Sequence, residues 1–115
     1  MEYAALVEEL RGFVREREWE QFHDPKNLAM LVASEAGELL AEYRWIPNER
    51  ADAFSREPEA RQRIAAEIGD VGIALLLLCD RTGVDLGAAM RDKLARNRRR
   101  YPVELSKGRA ARPVG

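Results

Sequence analysis

The sequence is poor in residues that often define the chemistry of a small protein. It has one cysteine, Cys79, one histidine, His23, and only 7% aromatic residues. A single cysteine excludes an internal disulfide, and its position in a leucine-rich run predicts a buried thiol, which fits a reducing compartment. The formal net charge of -1 gives no overall electrostatic reason to expect a nucleic-acid or membrane partner.

Long hydrophobic runs are also missing. The most apolar stretch, residues 64–79, is too short to span a bilayer and is interrupted by Glu67 and Asp70. The first residues lack the basic-then-apolar pattern of a secretory signal. With 46% hydrophobic and 34% charged residues, the composition is that of a globular domain. We therefore predict a cytoplasmic protein with one domain over residues 1–105 and a flexible C-terminal tail over residues 106–115.

The spacing of apolar residues is helical throughout, and no stretch has the alternation of a strand. Four main helices are predicted, over residues 2–18, from 25 to about 43, from 58 to 82, and from 86 to about 100, with one short helical turn after Asn48. Asp24 and Asp85 are typical N-caps, and Gly83 is typical of a left-handed C-cap. The fold prediction is an all-α four-helix bundle.

The second predicted helix is apolar on nearly all sides. The face opposite its acidic residues is made of small or apolar residues, namely Met30, Ala33, Gly37 and Ala41. A helix that is apolar nearly all round is buried on more than one side. In so short a chain this predicts a subunit interface, with Gly37 permitting close approach.

Two pairs of acidic residues stand out within these helices. Glu35 and Glu38 lie three residues apart on the second helix, and Glu67 and Asp70 have the same spacing on the third. Helical geometry puts each pair on one face, among apolar residues, so we expect the acids to face the core. Buried, unpaired carboxylates cost several kcal/mol each. A hard divalent cation such as Mg²⁺ is the expected compensation.

The acidic residues have other interpretations. An acid pair at this spacing is common on solvated helices, and either pair alone favours a structural role; two pairs on two apolar faces favour a metal site. A di-iron centre is disfavoured because it needs Glu-x-x-His pairs and His23 lies outside both motifs. Mg²⁺ ions held by a few carboxylates leave coordination sites open for phosphate oxygens and activate water. Glu42, on the same face, is an outer ligand or supports one.

The end of the fourth helix is basic and the connectors are aromatic. Lys93 and Asn97 share a face near Tyr101, which suits a metal-bound polyphosphate, although a solvated helix end explains most of this run. Trp19, Phe22 and Trp45 stand in or beside connectors, where they either stack on a nucleobase or cap the ends of the bundle. Both alternatives stay open from the sequence alone.

An ordered set of motifs resembles the MazG-like nucleotide pyrophosphohydrolases, and within them the dCTP pyrophosphatase branch. The resemblance covers residues 10 to 108 approximately. It rests on Trp19-Glu20-Gln21-Phe22-His23, Pro25-x-Asn27-Leu28, Glu35-x-Gly37-Glu38, Trp45, Glu67-x-x-Asp70, Gly83-Val84-Asp85-Leu86 and Asn97-Arg98-x-x-Tyr101-Pro102-Val103.

The resemblance implies an all-α, Mg²⁺-dependent hydrolase that splits a nucleoside triphosphate, dCTP or a modified dCTP, into the monophosphate and pyrophosphate. It implies a homodimer or homotetramer that sanitises the nucleotide pool. Metal binding falls to Glu35, Glu38, Glu67 and Asp70, with Glu35 or Glu38 helping to remove a proton from water. Substrate binding falls to Trp19, Glu20, Gln21, Phe22, His23 and Trp45 around the base and sugar, and to Lys93, Asn97, Arg98 and Tyr101 near the phosphates.

Two positions depart from the dCTP branch. A histidine of its first helix is Leu10 here, and a tyrosine four residues past the metal-binding aspartate is Ala74. These departures leave the base preference open. Two alternatives also remain: a non-catalytic helical dimer that binds nucleotides or a protein, and a phosphoribosyl-ATP-type pyrophosphohydrolase.

Overall fold

The structure is a computed structural model that describes residues 3–109, and this part of the chain is helical with no strand. The long helices are α1 (Ala4–Glu16), α2 (Pro25–Tyr43), α4 (Pro58–Thr82) and α5 (Leu86–Arg100), and the short ones are α3 (Ala51–Arg56) and α6 (Val103–Ser106). Single 3₁₀ turns cover Glu20–Phe22 and Asn48–Arg50. The predicted all-α fold with four long helices is confirmed.

The helix ends follow local chemistry that the sequence carries. The Asp24 carboxylate accepts a hydrogen bond from the Asn27 backbone N–H at 3.0 Å, and Asp85 accepts one from Ala88 at 2.9 Å. Gly83 ends α4 with a φ of 73°, in the left-handed region that glycine enters without strain. The helix after Pro102 was not predicted, and residues 110–115 of the predicted tail lie outside the described residues.

The bundle is centred on α2 and α4, which run antiparallel. Glu42 near the end of α2 pairs with Arg63 near the start of α4, and Leu28 and Leu77 at the other end line one cavity. Helix α1 packs on the second half of α4, where Val7 and Leu10 contact Leu76. The buried apolar residues are Val7, Leu10, Val14, Leu28, Ala60, Ile64, Ala74, Leu76 and Cys79.

Several apolar surfaces are left uncovered in the single chain. Ala33, Gly37 and Ala41 of the small-residue face are exposed, and a Cβ atom on Gly37 would meet nothing within 4 Å. Helix α5 is anchored at its start by Leu86 and the buried Gly87, but neither α2 nor α4 packs along it. Within the described residues, no helix combines the length and apolarity needed to cross a membrane.

Candidate metal centre

The antiparallel pairing of α2 and α4 brings the two acidic motifs together. Glu35 of α2 and Glu67 and Asp70 of α4 each offer one carboxylate oxygen, and the three oxygens lie within 4.8 Å of one another. Across residues 3–109 this is the only group of three or more His, Cys, Asp or Glu side chains with such a geometry. Residues 32 positions apart in the chain therefore form one carboxylate cluster.

The acids are less buried than the sequence pattern predicts. Glu35 and Glu67 are half-buried, whereas Glu38 and Asp70 are exposed, and no charged side chain is fully buried in the described part of the chain. The expectation that the acids face the core was therefore too strong. The physical reason is that α1 covers α4 around Leu76, two turns past Asp70, and leaves the acidic end of the α2–α4 groove open.

Glu67 is the acid most affected by its neighbours. Partial burial raises its pKa first, and the negative charges of Glu38, Asp70, Glu35 and Glu42 raise it further. Glu38 thus lies close enough to act electrostatically on the cluster, although it is outside the group of three convergent oxygens. The cluster concentrates negative charge that a cation would stabilise.

A basic residue that the sequence analysis missed lies at the edge of this cluster. Arg63 donates a hydrogen bond from Nε to the Glu42 carboxylate at 3.1 Å and so joins α4 to α2. Arg63 precedes Glu67 by four residues, which puts it on the same face of α4. That spacing was the available signal. Glu42 is engaged by Arg63 and is not among the three convergent carboxylates.

The donor set fits a hard divalent cation. All convergent donors are carboxylate oxygens, which Mg²⁺ prefers. Opposite ligands of an octahedral Mg²⁺ lie about 4.2 Å apart, so oxygens within 4.8 Å need only a small side-chain adjustment to share one ion.

The aromatic segment lies at the start of α2, on the side of the carboxylate cluster away from Glu42 and Arg63. Trp19 is 43% exposed and packs edge-on against Phe13, with ring centroids 5.7 Å apart. Gln21 donates its side-chain amide to the Glu18 carbonyl at 3.0 Å, so this group is already engaged locally. His23 is half-buried, while Glu20 and Phe22 are exposed.

Trp45 does not join this aromatic segment within one chain. It follows the end of α2, whereas Trp19 precedes the start of that helix, whose 19 residues span about 28 Å. Trp45 is 86% exposed, so it does not cap the bundle of a single chain. The alternative in which Trp45 stacks on a nucleobase stays a prediction.

The basic residues of α5 are likewise separate from the acids. Lys93 and Arg98 are exposed and Asn97 and Tyr101 are half-buried. Among the described residues, neither Lys93 nor Arg98 forms an ion pair. In the described part of the chain, neither α2 nor α4 packs along α5, the helix that carries or precedes these four residues.

An apolar cavity of about 200 Å³ adjoins the carboxylate cluster. Its lining consists of Leu10, Phe13, Val14, Trp19, His23, Leu31, Ile73 and Leu77. Leu31 precedes Glu35 by one turn of α2, and Ile73 follows Asp70 by one turn of α4, so the same faces carry both features. Trp19 and His23 belong to the predicted binding segment. The aliphatic wall was not predicted, although its i, i+3 and i, i+4 spacings from the acids indicate it.

Comparison with known proteins identifies the relatives of this chain. No protein-family model matches it. The dCTP pyrophosphatase 1 of Bos taurus is 42% identical over 100 residues, which are 87% of this chain and 59% of the relative. The human dCTP pyrophosphatase 1 is 39% identical over 95 residues, 83% of this chain and 56% of the relative. The chain thus spans less than two thirds of the length of these curated relatives.

A solved structure matches over nearly its whole length. The crystal structure of a pyrophosphatase from Archaeoglobus fulgidus DSM 4304 superposes with a TM-score of 0.79 at 34% identity, covering 89% of this chain and 94% of the archaeal one. The chain belongs to the MazG-like nucleotide pyrophosphohydrolase family. In this MazG-like chain, the two departures noted from the sequence have different surroundings. Leu10 is buried and also lines the apolar cavity, whereas Ala74 is only 1% exposed and is not part of that lining.

Proposed function

We propose that the protein is a Mg²⁺-dependent nucleoside triphosphate pyrophosphohydrolase that sanitises the nucleotide pool, with dCTP or a modified dCTP among its substrates. The observation that carries the proposal is the convergence of three carboxylate oxygens from Glu35, Glu67 and Asp70 within 4.8 Å. The names of the curated relatives, dCTP pyrophosphatase 1, support the substrate.

In this proposal Glu35, Glu67 and Asp70 hold Mg²⁺, with Glu38 beside them. Bound Mg²⁺ supplies positive charge for the phosphate oxygens and makes a bound water more acidic. Water attacks the α-phosphorus, and the bond from that phosphorus to the pyrophosphate oxygen breaks. Because Glu35 is taken up by the metal, we assign Glu38, which stays outside the convergent group, to accept the proton of the attacking water.

The remaining substrate contacts are assigned by the family resemblance. Residues Trp19, Glu20, Gln21, Phe22 and His23, together with Trp45, bind the base and sugar. Residues Lys93, Asn97, Arg98 and Tyr101 bind phosphate oxygens and stabilise the charge of the leaving pyrophosphate. Trp45 lies at the opposite end of α2 from the Trp19 segment of its own chain, and neither α2 nor α4 packs along α5, so this proposal includes a homodimer or homotetramer in which neighbouring copies complete each site.

The uncovered surfaces support assembly. Met90 and Leu94 of α5 are 53% and 50% exposed, and Met30 and Leu40 of α2 are 53% and 63% exposed. Large exposed apolar patches are typical of protein–protein interaction sites. The proposal has no nucleic-acid or membrane partner and assigns the protein to the cytoplasm.

A panel of canonical and modified nucleotides with pyrophosphate detection tests the proposal. Wild-type protein with Mg²⁺ is expected to release pyrophosphate from at least one deoxynucleoside triphosphate, and phosphoribosyl-ATP belongs in the panel to test that alternative substrate. Glu38→Gln should lower kcat about 10²- to 10⁴-fold, the usual contribution of a positioned base. Glu9→Gln, the same change on the exposed side of α1, is the matched control.

Two outcomes would contradict the assignment. Turnover of Glu38→Gln at the wild-type rate with intact folding would remove Glu38 from the mechanism. Absence of turnover on the whole panel, with no effect of Mg²⁺ on thermal stability, would favour a non-catalytic binding protein.

A further inference from the structure

Arg63 is the basic side chain that the structure joins to the acidic face of the α2–α4 groove. Four other acids act electrostatically on Glu67 of this face, namely Glu35, Glu38, Glu42 and Asp70. Of the ion pairs formed within residues 3–109, only the one between Arg63 and Glu42 involves any of these five acids. The positive charge fixed beside the carboxylates is therefore that of Arg63.

The ion pair with Glu42 leaves most of the Arg63 guanidinium available for a ligand. A guanidinium carries five N–H donors, and Glu42 accepts only from Nε, at 3.1 Å. In the described part of the chain, Nη1 and Nη2 donate to no other side chain or carbonyl group. The Glu42 side chain is 19% exposed and that of Arg63 is 52% exposed, so a half-buried carboxylate anchors an accessible guanidinium.

Arg63 and the aromatic segment lie on opposite sides of the carboxylate cluster. Helix α4 runs from Arg63 through Glu67 and Asp70 to Leu77, which lines a cavity together with His23. Arg63 precedes Glu67 by four residues, a rise of about 6 Å along the helix. The order along the groove is therefore aromatic segment, carboxylates, guanidinium.

A nucleoside triphosphate presents its groups in the same order. Its base and sugar come first, the α-phosphate next, and the β- and γ-phosphates last. In the proposed function, residues 19–23 bind the base and sugar, and the α-phosphate lies at the carboxylates. The two phosphates that leave as pyrophosphate then extend toward Arg63. Arginine suits such a ligand because its planar fork of N–H donors matches two phosphate oxygens at once.

We propose that Arg63 binds the β- and γ-phosphates of the substrate through Nη1 and Nη2, while Glu42 fixes its orientation through Nε. Arg63 stays protonated throughout. When the bond from the α-phosphorus to the bridging oxygen breaks, that oxygen keeps the electron pair, and Arg63 stabilises the charge that pyrophosphate gains. The inference rests on the proposed hydrolase activity. It adds a phosphate-binding residue on α4 to those that the resemblance assigns to α5 and its end.

Inorganic pyrophosphate is the probe, because it contains the two phosphates assigned to Arg63 and has neither base nor sugar. Its dissociation constant in the presence of Mg²⁺, measured by calorimetry, should rise about 10- to 100-fold in Arg63→Gln, the usual effect of losing charge-assisted hydrogen bonds. The affinity for dCMP, which lacks these phosphates, should remain that of wild type. Arg61→Gln is the matched control, since Arg61 is also exposed and lies on a different face of α4.

Glu42→Gln separates phosphate binding from a purely structural tie between the helices. Either substitution breaks the ion pair, so a role limited to joining α2 and α4 predicts equal losses of Tm and of pyrophosphate affinity in both variants. In the proposed role Glu42→Gln keeps the guanidinium, and it should bind pyrophosphate about fivefold more tightly than Arg63→Gln, or better.

Arg63→Lys provides a second test that does not depend on the folding of Arg63→Gln. Lysine keeps the positive charge but lacks the planar fork, so its pyrophosphate affinity should fall between those of wild type and Arg63→Gln. Thermal unfolding shows which variants are folded at the assay temperature. If Arg63→Gln is not folded, a pyrophosphate affinity of Arg63→Lys equal to that of wild type would overturn the inference.

The results separate this inference from the proposed activity. Unchanged pyrophosphate affinity in Arg63→Gln, or equal losses in Arg63→Gln and Glu42→Gln, would overturn the role of Arg63 and leave the activity standing. Binding of pyrophosphate that depends on Arg63, without turnover of any nucleotide, would overturn the activity and keep Arg63 in a polyphosphate site. If both hold, Arg63→Gln should lower kcat/KM for dCTP about 10- to 100-fold.

Discussion

Arg11 of α1 and Asp80 of α4 form a charged pair that ties the first helix to the far end of the bundle. The Arg11 Nε atom lies 3.2 Å and 3.1 Å from the two carboxylate oxygens of Asp80. Hydrogen bonding to Arg11 is the main cause that holds the pKa of Asp80 below its usual value. The pair borders a second cavity of about 240 Å³, which shares Val14, His23 and Leu77 with the apolar one.

Asp80→Asn should lower the thermal stability at neutral pH. A carboxylate with a depressed pKa in the folded state stabilises that state above its unfolded pKa of about 3.9, and this contribution is lost as the pH falls through the folded value. We expect a Tm decrease of about 2–5 °C at pH 7 that becomes smaller as the pH falls below about 3.9. Thermal unfolding followed by circular dichroism from pH 2.5 to 8 measures it. The control Asp92→Asn, on the exposed side of α5, should change Tm little. A decrease in Tm of Asp80→Asn that is equally large at pH 2.5 and pH 8 would contradict the ion pair as its cause.

Glu67→Gln should stabilise the metal-free protein. The raised pKa of Glu67 means that the folded state binds a proton more tightly than the unfolded state does. The free energy of unfolding therefore falls as the pH rises from the pKa of Glu67 in the unfolded state to its pKa in the folded state. Above both pKa values the full loss of stability is present. Replacing the carboxylate by an amide removes this repulsion, so Tm at pH 7 without metal should rise by about 1–4 °C.

The same variant should lose the response to Mg²⁺. A ligand that binds only the folded state stabilises it in proportion to the logarithm of its concentration, by about 2.7 kcal/mol at a hundred times its dissociation constant. Wild-type protein and Glu9→Gln should show this increase in Tm as Mg²⁺ is added. A Glu67→Gln protein that responds to Mg²⁺ as strongly as wild type would show that the carboxylate cluster is not the metal site.

Local features of the fold could be predicted from the sequence, because the residues that determine them are neighbours in the chain. Asp24, Asp85 and Gly83 set three helix ends, and each acts on backbone groups within a few residues of itself. Helix α6 was missed because Pro102 indicates a stop and can equally precede a new helix, as it does here.

The candidate site could be predicted only in part. The spacing of Glu35 and Glu67 within their motifs indicated that both belong to a carboxylate cluster, but their exposure depends on where α1 packs, which periodicity does not encode. Arg63 and the aliphatic wall around Ile73 were missed for the same reason. Their role depends on the antiparallel register of α2 and α4.

Gly37→Ala should have opposite effects on the single chain and on the assembly. A Cβ atom at this position meets nothing within 4 Å in the single chain, so alanine should stabilise α2 by about 0.5–1 kcal/mol. If a second copy approaches the Met30–Gly37 face closely, the added methyl group should weaken assembly at least tenfold. Light scattering over a range of protein concentrations measures the assembly.

Gly12→Ala is the matched control for this prediction. Gly12 lies inside α1 and also has open space around its Cβ position. It should show the gain in stability without the loss of assembly. Unchanged assembly of Gly37→Ala would remove the small-residue face of α2 as the subunit interface.

Trp45→Ala should impair substrate binding without destabilising the fold. Because the indole is 86% exposed, its removal should change Tm by no more than about 2 °C. Stacking of a base on an aromatic ring contributes about 1–3 kcal/mol, so KM should rise about 5- to 150-fold. Trp45→Phe keeps an aromatic ring and should recover most of the affinity. Trp45 and Trp19 lie at opposite ends of α2, so Trp45 is assigned to the site of a neighbouring copy. Mixing the Trp45→Ala and Glu38→Gln proteins should then restore activity, because a mixed assembly contains a site with both residues intact. No recovery in freshly mixed and reassembled protein would place Trp45 on the site of its own chain.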